Sequence, residues 1–220
     1  MNLALFDLDN TLLAGDSDFE WSQFLIEKKV LDRDIFEQRN IDFYEQYKAG
    51  TLDIYEFLDF QFKPLAQNPR KQLDAWHNEF MKKRIQKLIA PGAPKLIEKH
   101  MLDGDLCIII TATNRFVTAP IAKALGFQHL IATEAEHKNG EFTGQVAGTP
   151  CFKEGKITCL ENWLDANNLT WMSFLQSWFY SDSLNDLPLL NKVTHPVAVD
   201  PDNTLKSHAE QHDWSIISLR

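Results

Sequence analysis

The sequence is poor in cysteine and has no long apolar stretch. Its three cysteines form no CxxC pair, which favours reduced thiols in a cytoplasm over a disulfide framework. Apolar runs such as Leu3–Phe6 and Cys107–Ile110 fall far below the ~18 residues of a membrane span. The first residues lack a basic region and soon reach Asp7, which predicts no signal peptide. We therefore expect a cytoplasmic protein without a membrane partner.

Positive charge is also in short supply. Lys and Arg total 22 against 31 Asp and Glu, which gives a formal charge of −9. A protein that binds nucleic acid needs a basic surface, so this balance predicts no nucleic-acid partner. It leaves room for a small phosphorylated substrate, because a bound metal can invert the local field. The length of 220 residues can bury a core without disulfides and suits a core with a smaller appendage.

Short buried strands alternate with helices along much of the chain. The alternation predicts an α/β fold, with a Rossmann-like parallel sheet covered by helices on both faces. Polar clusters follow the strands, and the carboxyl ends of parallel strands meet at one edge, where ligands bind. The predicted strands are residues 2–6, 106–110, 177–180 and 196–199, and the predicted helices that flank the second strand are 93–101 and 116–125.

Two segments depart from this alternation. Residues 12–90 hold no strand pattern and have helical spacing, so we expect a helical domain inserted after the first strand. Residues 130–146 contain Asn139-Gly140 between alternating stretches, which predicts a small β-hairpin. The predicted division is a core of residues 1–14 and 89–220 and a helical domain of residues 15–88.

Asp7 and Asp9 lie two residues apart where the first strand ends. Two carboxylates this close raise each other's pKa unless a cation lies between them. Mg²⁺ prefers such carboxylates, together with water and substrate phosphate. The alternative is structural, since either aspartate could cap the segment that follows.

Four motifs, in order, resemble those of the haloacid dehalogenase superfamily of phosphohydrolases. Asp7-Leu8-Asp9-Asn10-Thr11 resembles motif I, Thr111 looks like the motif II hydroxyl, and Lys156 looks like the motif III lysine. Asp182-Ser183-Leu184-Asn185-Asp186 resembles the acidic motif IV. The helical insertion is similar to the type 1 cap of the phosphoserine-phosphatase-like subfamily, so we call residues 15–88 the cap.

The resemblance implies a role for each motif residue. Asp7 would be the nucleophile that forms an aspartyl-phosphate, and Asp9 the general acid and base. Mg²⁺ would be the cofactor, held by the Asp7 carboxylate, the Asp9 carbonyl and Asp182. Asp186 would be a further ligand through water or the partner that orients Lys156, with Asn185 beside them. The residues implied to bind phosphate are Thr111, Ala112 and Lys156.

Several of these residues have a second interpretation. Thr111 could cap a helix, and Lys153 could be the phosphate lysine in place of Lys156. Asp182 and Asp186 could cap the helix that begins near Leu187.

Asp16 is the candidate substrate-binding residue. The resemblance implies that an acidic residue at this position meets a substrate amine, with Asp18 as its nearest rival and capping of the next helix as the alternative. The matching cap stretch, 59–63, has no Arg to hold a substrate carboxylate. Residues 16–62 contain 12 acidic and 5 basic side chains, which favours an amine-bearing phosphate unless these charges form a solvated helix face.

The sequence therefore predicts a Mg²⁺-dependent phosphomonoester hydrolase. Its expected partner is a small phosphorylated metabolite, either histidinol phosphate or phosphoserine, and it would act as a monomer or homodimer. The alternatives are transfer to another acceptor, broad specificity, or a non-catalytic protein that binds phosphorylated ligands.

Overall fold

The computed structural model describes all 220 residues and contains a seven-stranded sheet of order β4-β3-β2-β1-β5-β6-β7. The strands pair in parallel except β4, which pairs antiparallel with β3 across the predicted hairpin. This arrangement confirms the α/β prediction. The strands are β1 (Leu3–Phe6), β2 (Leu106–Asn114), β3 (His129–Lys138), β4 (Glu141–Ala147), β5 (Ser177–Ser181), β6 (His195–Val199) and β7 (Ser215–Ile217).

Ten helices join the strands, and the first six lie between β1 and β2. Aspartate side chains cap several of them, because their oxygens accept N–H groups that have no partner in the first turn. The helices are α1 (Ser17–Glu27), α2 (Arg33–Ala49), α3 (Ile54–Gln67), α4 (Arg70–Phe80), α5 (Gln86–Leu88), α6 (Ala93–Leu102), α7 (Arg115–Ala124), α8 (Glu154–Ala166), α9 (Leu187–Leu190) and α10 (Asn203–Gln211).

Three details differ from the sequence-based expectation. β2 does not end at Ile110 but continues to Asn114, with its register against β3 shifting between Thr111 and Asn114. α7 begins at Arg115, one residue earlier than predicted, and Pro120 lies inside it. β7 was not predicted, because it has only three residues and none of them is fully buried.

Both faces of the sheet are covered by apolar layers. On one face, strand residues such as Phe179 pack with Leu160 of α8. On the other face, Phe6 belongs to a cluster that continues into the helical insertion through Trp21 and Phe62. The insertion therefore shares buried apolar surface with the sheet.

The insertion leaves and rejoins the core through two paired segments. Leu13 and Ile89 form an antiparallel bridge, the Ala14 N–H donates to the Leu88 carbonyl at 2.6 Å, and the Ala90 N–H donates to the Leu12 carbonyl at 3.0 Å. α1 to α5 all lie within the predicted cap range, whose boundaries stay a prediction. None of the helices is both long enough and apolar enough to cross a bilayer.

Candidate active site

Asp7 lies at the carboxyl end of β1, the central strand. Its N–H donates to the Tyr180 carbonyl of β5 at 2.9 Å, and a wide turn over Leu8–Leu12 then reverses the chain. Asn10 in this turn has φ of 57°, a left-handed conformation that asparagine tolerates. The turn places the Thr11 hydroxyl 3.3 Å from Asp7 Oδ2 and 3.1 Å from Asp182 Oδ1. Two strand ends thus bring Asp7 and Asp182 to one hydroxyl.

Lys156 reaches into this group from the first turn of α8. Its Nζ lies 2.8 Å from Asp7 Oδ1 and 2.7 Å from Asp186 Oδ2, and the residue is only 2% exposed. A Cβ at Gly155 would lie 2.1 Å from the Pro150 carbonyl oxygen, so only glycine permits this approach of the chain. Lys153 Nζ instead donates to the Gly50 carbonyl of the cap.

Asp186 accepts a second hydrogen bond, from Ser181 Oγ at 2.7 Å. It immediately precedes α9, yet its side chain does not cap that helix. Its contact with Lys156 matches the orienting role that was one of its two expected roles. The Asp182 side chain likewise contacts Thr11 and does not cap the N-terminus of α9.

The charges of this group are unbalanced, with three carboxylates facing one ammonium. Burial raises the pKa of Asp7 to about 7, Lys156 opposes the rise, and Asp186 and Asp9 add to it. Burial also raises the pKa of Asp182 well above its usual value, helped by Asp7 and Asp186. Burial alone would lower the pKa of Lys156, but the carboxylates outweigh it, so the amine stays charged.

The excess of negative charge and the all-oxygen donors suit a hard divalent cation such as Mg²⁺. No three acidic, histidine or cysteine side chains already converge as a metal site. Asp7 and Asp186 are instead paired with the Lys156 amine. The residues therefore fit a site that keeps water and substrate oxygens among its ligands, as Mg²⁺ sites do.

Asp9 makes its contacts with residues other than those that bind Lys156. Its Oδ1 accepts the Ser17 N–H at 2.6 Å, and its Oδ2 accepts the Thr113 hydroxyl at 2.8 Å. Burial and then Asp16 raise the pKa of Asp9 to about 7, while the hydrogen bonds from Ser17 and Thr113 oppose the rise. A carboxyl group with this pKa can both give and take a proton near neutral pH.

Asp16 and Asp18 flank Asp9 at the start of α1. Asp16 is exposed and caps α1 by accepting the Phe19 N–H at 2.8 Å, so the capping interpretation describes its present contact. Asp18 is 5% exposed and accepts one hydrogen bond, from Asn114 Nδ2 at 3.3 Å. Burial raises its pKa well above the usual value, with Asp16 and Asp9 adding to the effect. The charged neighbours of Asp18 are carboxylates, not cations.

The remaining predicted residues make other contacts. Thr111 is buried within β2, three residues before the strand ends, and its Oγ1 accepts the Thr113 N–H at 3.2 Å. Asn114, not Thr111, caps α7. Ala112 is half-buried and offers only its backbone. Asn185 Nδ2 donates to the Tyr47 carbonyl of the cap at 3.1 Å rather than to a carboxylate.

Sequence reasoning missed several residues that the structure brings to the site. Thr113 follows Thr111 by two positions, and this spacing on a continued strand could have indicated it. Thr11 and Ser183 stand inside the quoted motifs, but no role was assigned to them. Ser181 and Tyr47 gave no signal, because their contacts depend on tertiary structure. Tyr47, for example, binds a side chain 136 residues away.

Comparison with known proteins places this site in context. A family model described as haloacid dehalogenase-like hydrolase matches residues 4–191. The chain is 42% identical over 220 residues to a histidinol-phosphatase of Neisseria meningitidis, covering 100% of this chain and 99% of that protein. It is 29% identical to a phosphoserine phosphatase of Mycobacterium tuberculosis, covering 99% of this chain and 70% of the relative.

Solved structures agree with the fold. A protein of unknown function from Bordetella pertussis superposes with a TM-score of 0.94 at 44% identity, over 100% of this chain and 99% of that one. A phospho-aspartyl intermediate analogue of phosphoserine phosphatase superposes with a TM-score of 0.68 at 18% identity, covering 100% and 93% of the two chains.

Proposed function

Because the chain belongs to the haloacid dehalogenase-like hydrolase family and is a phosphatase, we propose that it hydrolyses a small amine-bearing phosphomonoester through an aspartyl-phosphate at Asp7. The observation that carries the proposal is the buried Lys156 ammonium, 2.8 Å from Asp7 and 2.7 Å from Asp186. A carboxylate can attack a phosphoryl group only where positive charge offsets the repulsion between them.

Phosphatases of this family generally use Mg²⁺, and the donor set fits it. We propose that the Asp7 carboxylate, the Asp9 carbonyl and Asp182 hold the ion, with Asp186 reached through water. The bound ion would neutralise charge on the phosphoryl oxygens. The sequence-based expectations of a cytoplasmic location and a monomer or homodimer stay predictions.

Two half-reactions account for the roles of the two aspartates. An Asp7 carboxylate oxygen bonds to phosphorus while the bond from phosphorus to the substrate alcohol breaks, and Asp9 gives its proton to the departing oxygen. Asp9 then takes a proton from a water molecule that attacks phosphorus, which frees Asp7 and inorganic phosphate. Thr113 and the Ser17 N–H hold the Asp9 carboxyl in place. Thr111, the Ala112 backbone and Lys156 bind the phosphoryl oxygens.

The acidic residues beside Asp9 favour a substrate with a cationic leaving group. Asp18 is buried with one amide donor and no cation, so a substrate ammonium would relieve its unfavourable burial. Asp16 is the second candidate for this contact. The relative at 42% identity is a histidinol-phosphatase, which supports histidinol phosphate as the substrate.

Phosphoserine is the second candidate, supported by the relative at 29% identity. Its carboxylate would need a cationic partner in the cap. All four cap arginines already pair with carboxylates, which disfavours this substrate. These pairs are Arg33 with Glu37, Arg39 with Glu56, Arg70 with Asp74, and Arg84 with Glu20 and Glu27.

The test compares Asp18→Asn with the matched control Asp59→Asn, which changes an exposed cap carboxylate. With Mg²⁺ present, Asp18→Asn should lower kcat/KM for histidinol phosphate by about 10- to 100-fold, the value of a charge-assisted hydrogen bond. Hydrolysis of an aryl phosphate, whose leaving group carries no ammonium, should change less than about twofold. Equal losses on both substrates, or faster hydrolysis of phosphoserine by the parent protein, would contradict the assignment.

A further inference from the structure

The C-terminal end of α2 contacts the core at two places, the acidic 181–186 loop and Lys153, which directly precedes α8. Tyr47 Oη donates to Ser183 Oγ at 2.7 Å, and Asn185 Nδ2 donates to the Tyr47 carbonyl at 3.1 Å. Lys153 Nζ donates to the Gly50 carbonyl at 2.7 Å, just beyond the helix. We call these five residues, Tyr47, Gly50, Lys153, Ser183 and Asn185, the cap clasp.

Ser183 belongs to the network that shapes the acidic loop. Its Oγ accepts the Asn185 N–H at 3.2 Å, and its own N–H donates to Ser181 Oγ at 3.2 Å. The Ser181 hydroxyl in turn donates to Asp186 Oδ2 at 2.7 Å. Two serines therefore link the Tyr47 hydroxyl to the carboxylate that binds Lys156.

Tyr47 is also the main attachment of α2 to the core. Both hydrogen bonds from α2 to the core involve Tyr47. The one fully buried residue of this helix, Phe43, packs against Phe57 and Phe60 of α3, within the cap. Loss of the Tyr47 hydroxyl would thus loosen the cap over the acidic loop without disturbing an apolar core.

We propose that Tyr47 is a positioning residue for the phosphatase reaction, holding the 181–186 loop in its reactive arrangement through Ser183. The inference rests on the proposed function and adds to it a residue in the cap that acts on the core. The clasp contacts the 181–186 loop and Lys153, which directly precedes the helix that carries Lys156. The leaving group is assigned instead to the region of Asp9 and Asp18. The effect of the clasp should therefore be the same for every phosphomonoester.

The kinetic test compares Tyr47→Phe with Tyr44→Phe, a control on the same helix whose ring is 58% exposed. Tyr47→Phe should lower kcat by about five- to tenfold, the worth of one hydrogen bond, with KM within about twofold. The loss should be equal for histidinol phosphate, phosphoserine and an aryl phosphate. A kcat equal to that of Tyr44→Phe, or a loss confined to one substrate, would overturn the proposal.

A double-mutant cycle with Ser183→Ala isolates the bond itself. Adding Tyr47→Phe to Ser183→Ala should lower kcat less than about twofold further, because the shared interaction is already lost. Multiplicative losses would refute the route through Ser183.

Hydrogen exchange of the 181–186 amides separates this proposal from the proposed function. Exchange should be faster in Tyr47→Phe than in Tyr44→Phe, even if the parent protein hydrolysed none of the three substrates. Inactivity of the parent protein would thus refute the proposed function alone, whereas unchanged exchange would refute the clasp.

Discussion

At the scale of single residues, the site depends on one buried ammonium shared by two carboxylates. Lys156 is 2% exposed and bonds both Asp7 and Asp186. Removing one partner of such a group leaves the others charged and without compensation in a low-dielectric site, typically at about 3–5 kcal/mol. Loss of the Lys156 ammonium should therefore lower the stability of the protein as well as its activity.

Lys156→Met should lower kcat/KM by about 10²- to 10³-fold, because the charge that stabilises the transferring phosphoryl group is removed. Lys153→Met loses an exposed hydrogen bond to Gly50 and a contact of its ammonium with the Phe152 ring, so its kcat/KM should fall less than about tenfold. Steady-state kinetics on both variants at matched Mg²⁺ measures the difference. Similar losses in the two would show that Lys156 has been wrongly preferred.

The charged residues of the site could be predicted from sequence, but the hydroxyl that joins Asp7 and Asp182 could not be assigned that role. Asp7, Lys156 and Asp186 stand in motifs whose order is visible in one dimension. Thr11 serves two carboxylates only because β1 and β5 are neighbours in the sheet. Such contacts arise from strand order, which the spacing of motifs does not specify.

At the scale of elements, α4 is held against the core through a buried histidine. His77 is 4% exposed, and its Nε2 lies 2.9 Å from the Val117 carbonyl of α7. Trp21, Phe80 and Phe116 surround its ring at centroid distances of 5.6, 5.5 and 5.3 Å. Burial lowers the pKa of His77 below its usual 6.5, with the Val117 carbonyl opposing.

This lowered pKa predicts a pH-dependent contribution to stability. Below about pH 6.5 the unfolded chain binds a proton at His77 that the folded chain does not, so the folded state loses stability as pH falls. In His77→Gln this loss is absent. As pH falls, the difference in unfolding free energy between the parent and the less stable His77→Gln variant should therefore shrink, by up to about 1.4 kcal/mol per pH unit.

Urea denaturation of both proteins between about pH 7 and 5 measures the change. His137→Gln, on the exposed part of β3, is the control. If His77→Gln kept the same deficit across this range, the histidine would not be the titrating group.

The hydrophobic pattern of the sequence predicted where strands lie better than it predicted where they end. The continuous apolar run Cys107–Ile110 indicated β2, but the polar residues up to Asn114 suggested a loop. They continue the strand because Thr111 still pairs with Ala132 of β3 before the register shifts. β7 has too few residues for a periodic pattern, and only its pairing with β6 defines it.

At the scale of the whole molecule, the cap and the core share one apolar cluster. Trp21 and Phe62 of the cap belong to the same buried group as Phe6 and Val117 of the core. The expected alternation of strands and helices was confirmed, whereas this continuity could not be predicted, because helical spacing shows which face is apolar but not what it meets.

The fold places the acidic residues of the cap in two different environments. Much of the cap's acidic charge lies on exposed helix faces or in pairs with arginine, as with Glu37 and Glu56. Asp16 and Asp18 differ, because they lie beside Asp9. The composition gives only the number of acidic residues in the cap, whereas the structure shows which of them lie near Asp9.

The proposed mechanism requires that Asp7 becomes phosphorylated during turnover. The most direct measurement is an acid quench during hydrolysis of histidinol phosphate with Mg²⁺, followed by mass spectrometry of peptides containing Asp7. We expect a phosphoryl group on Asp7 in the parent protein. A folded Asp7→Asn variant should show neither this adduct nor turnover. Turnover by Asp7→Asn, or a phosphoryl group on another residue, would contradict the proposed mechanism.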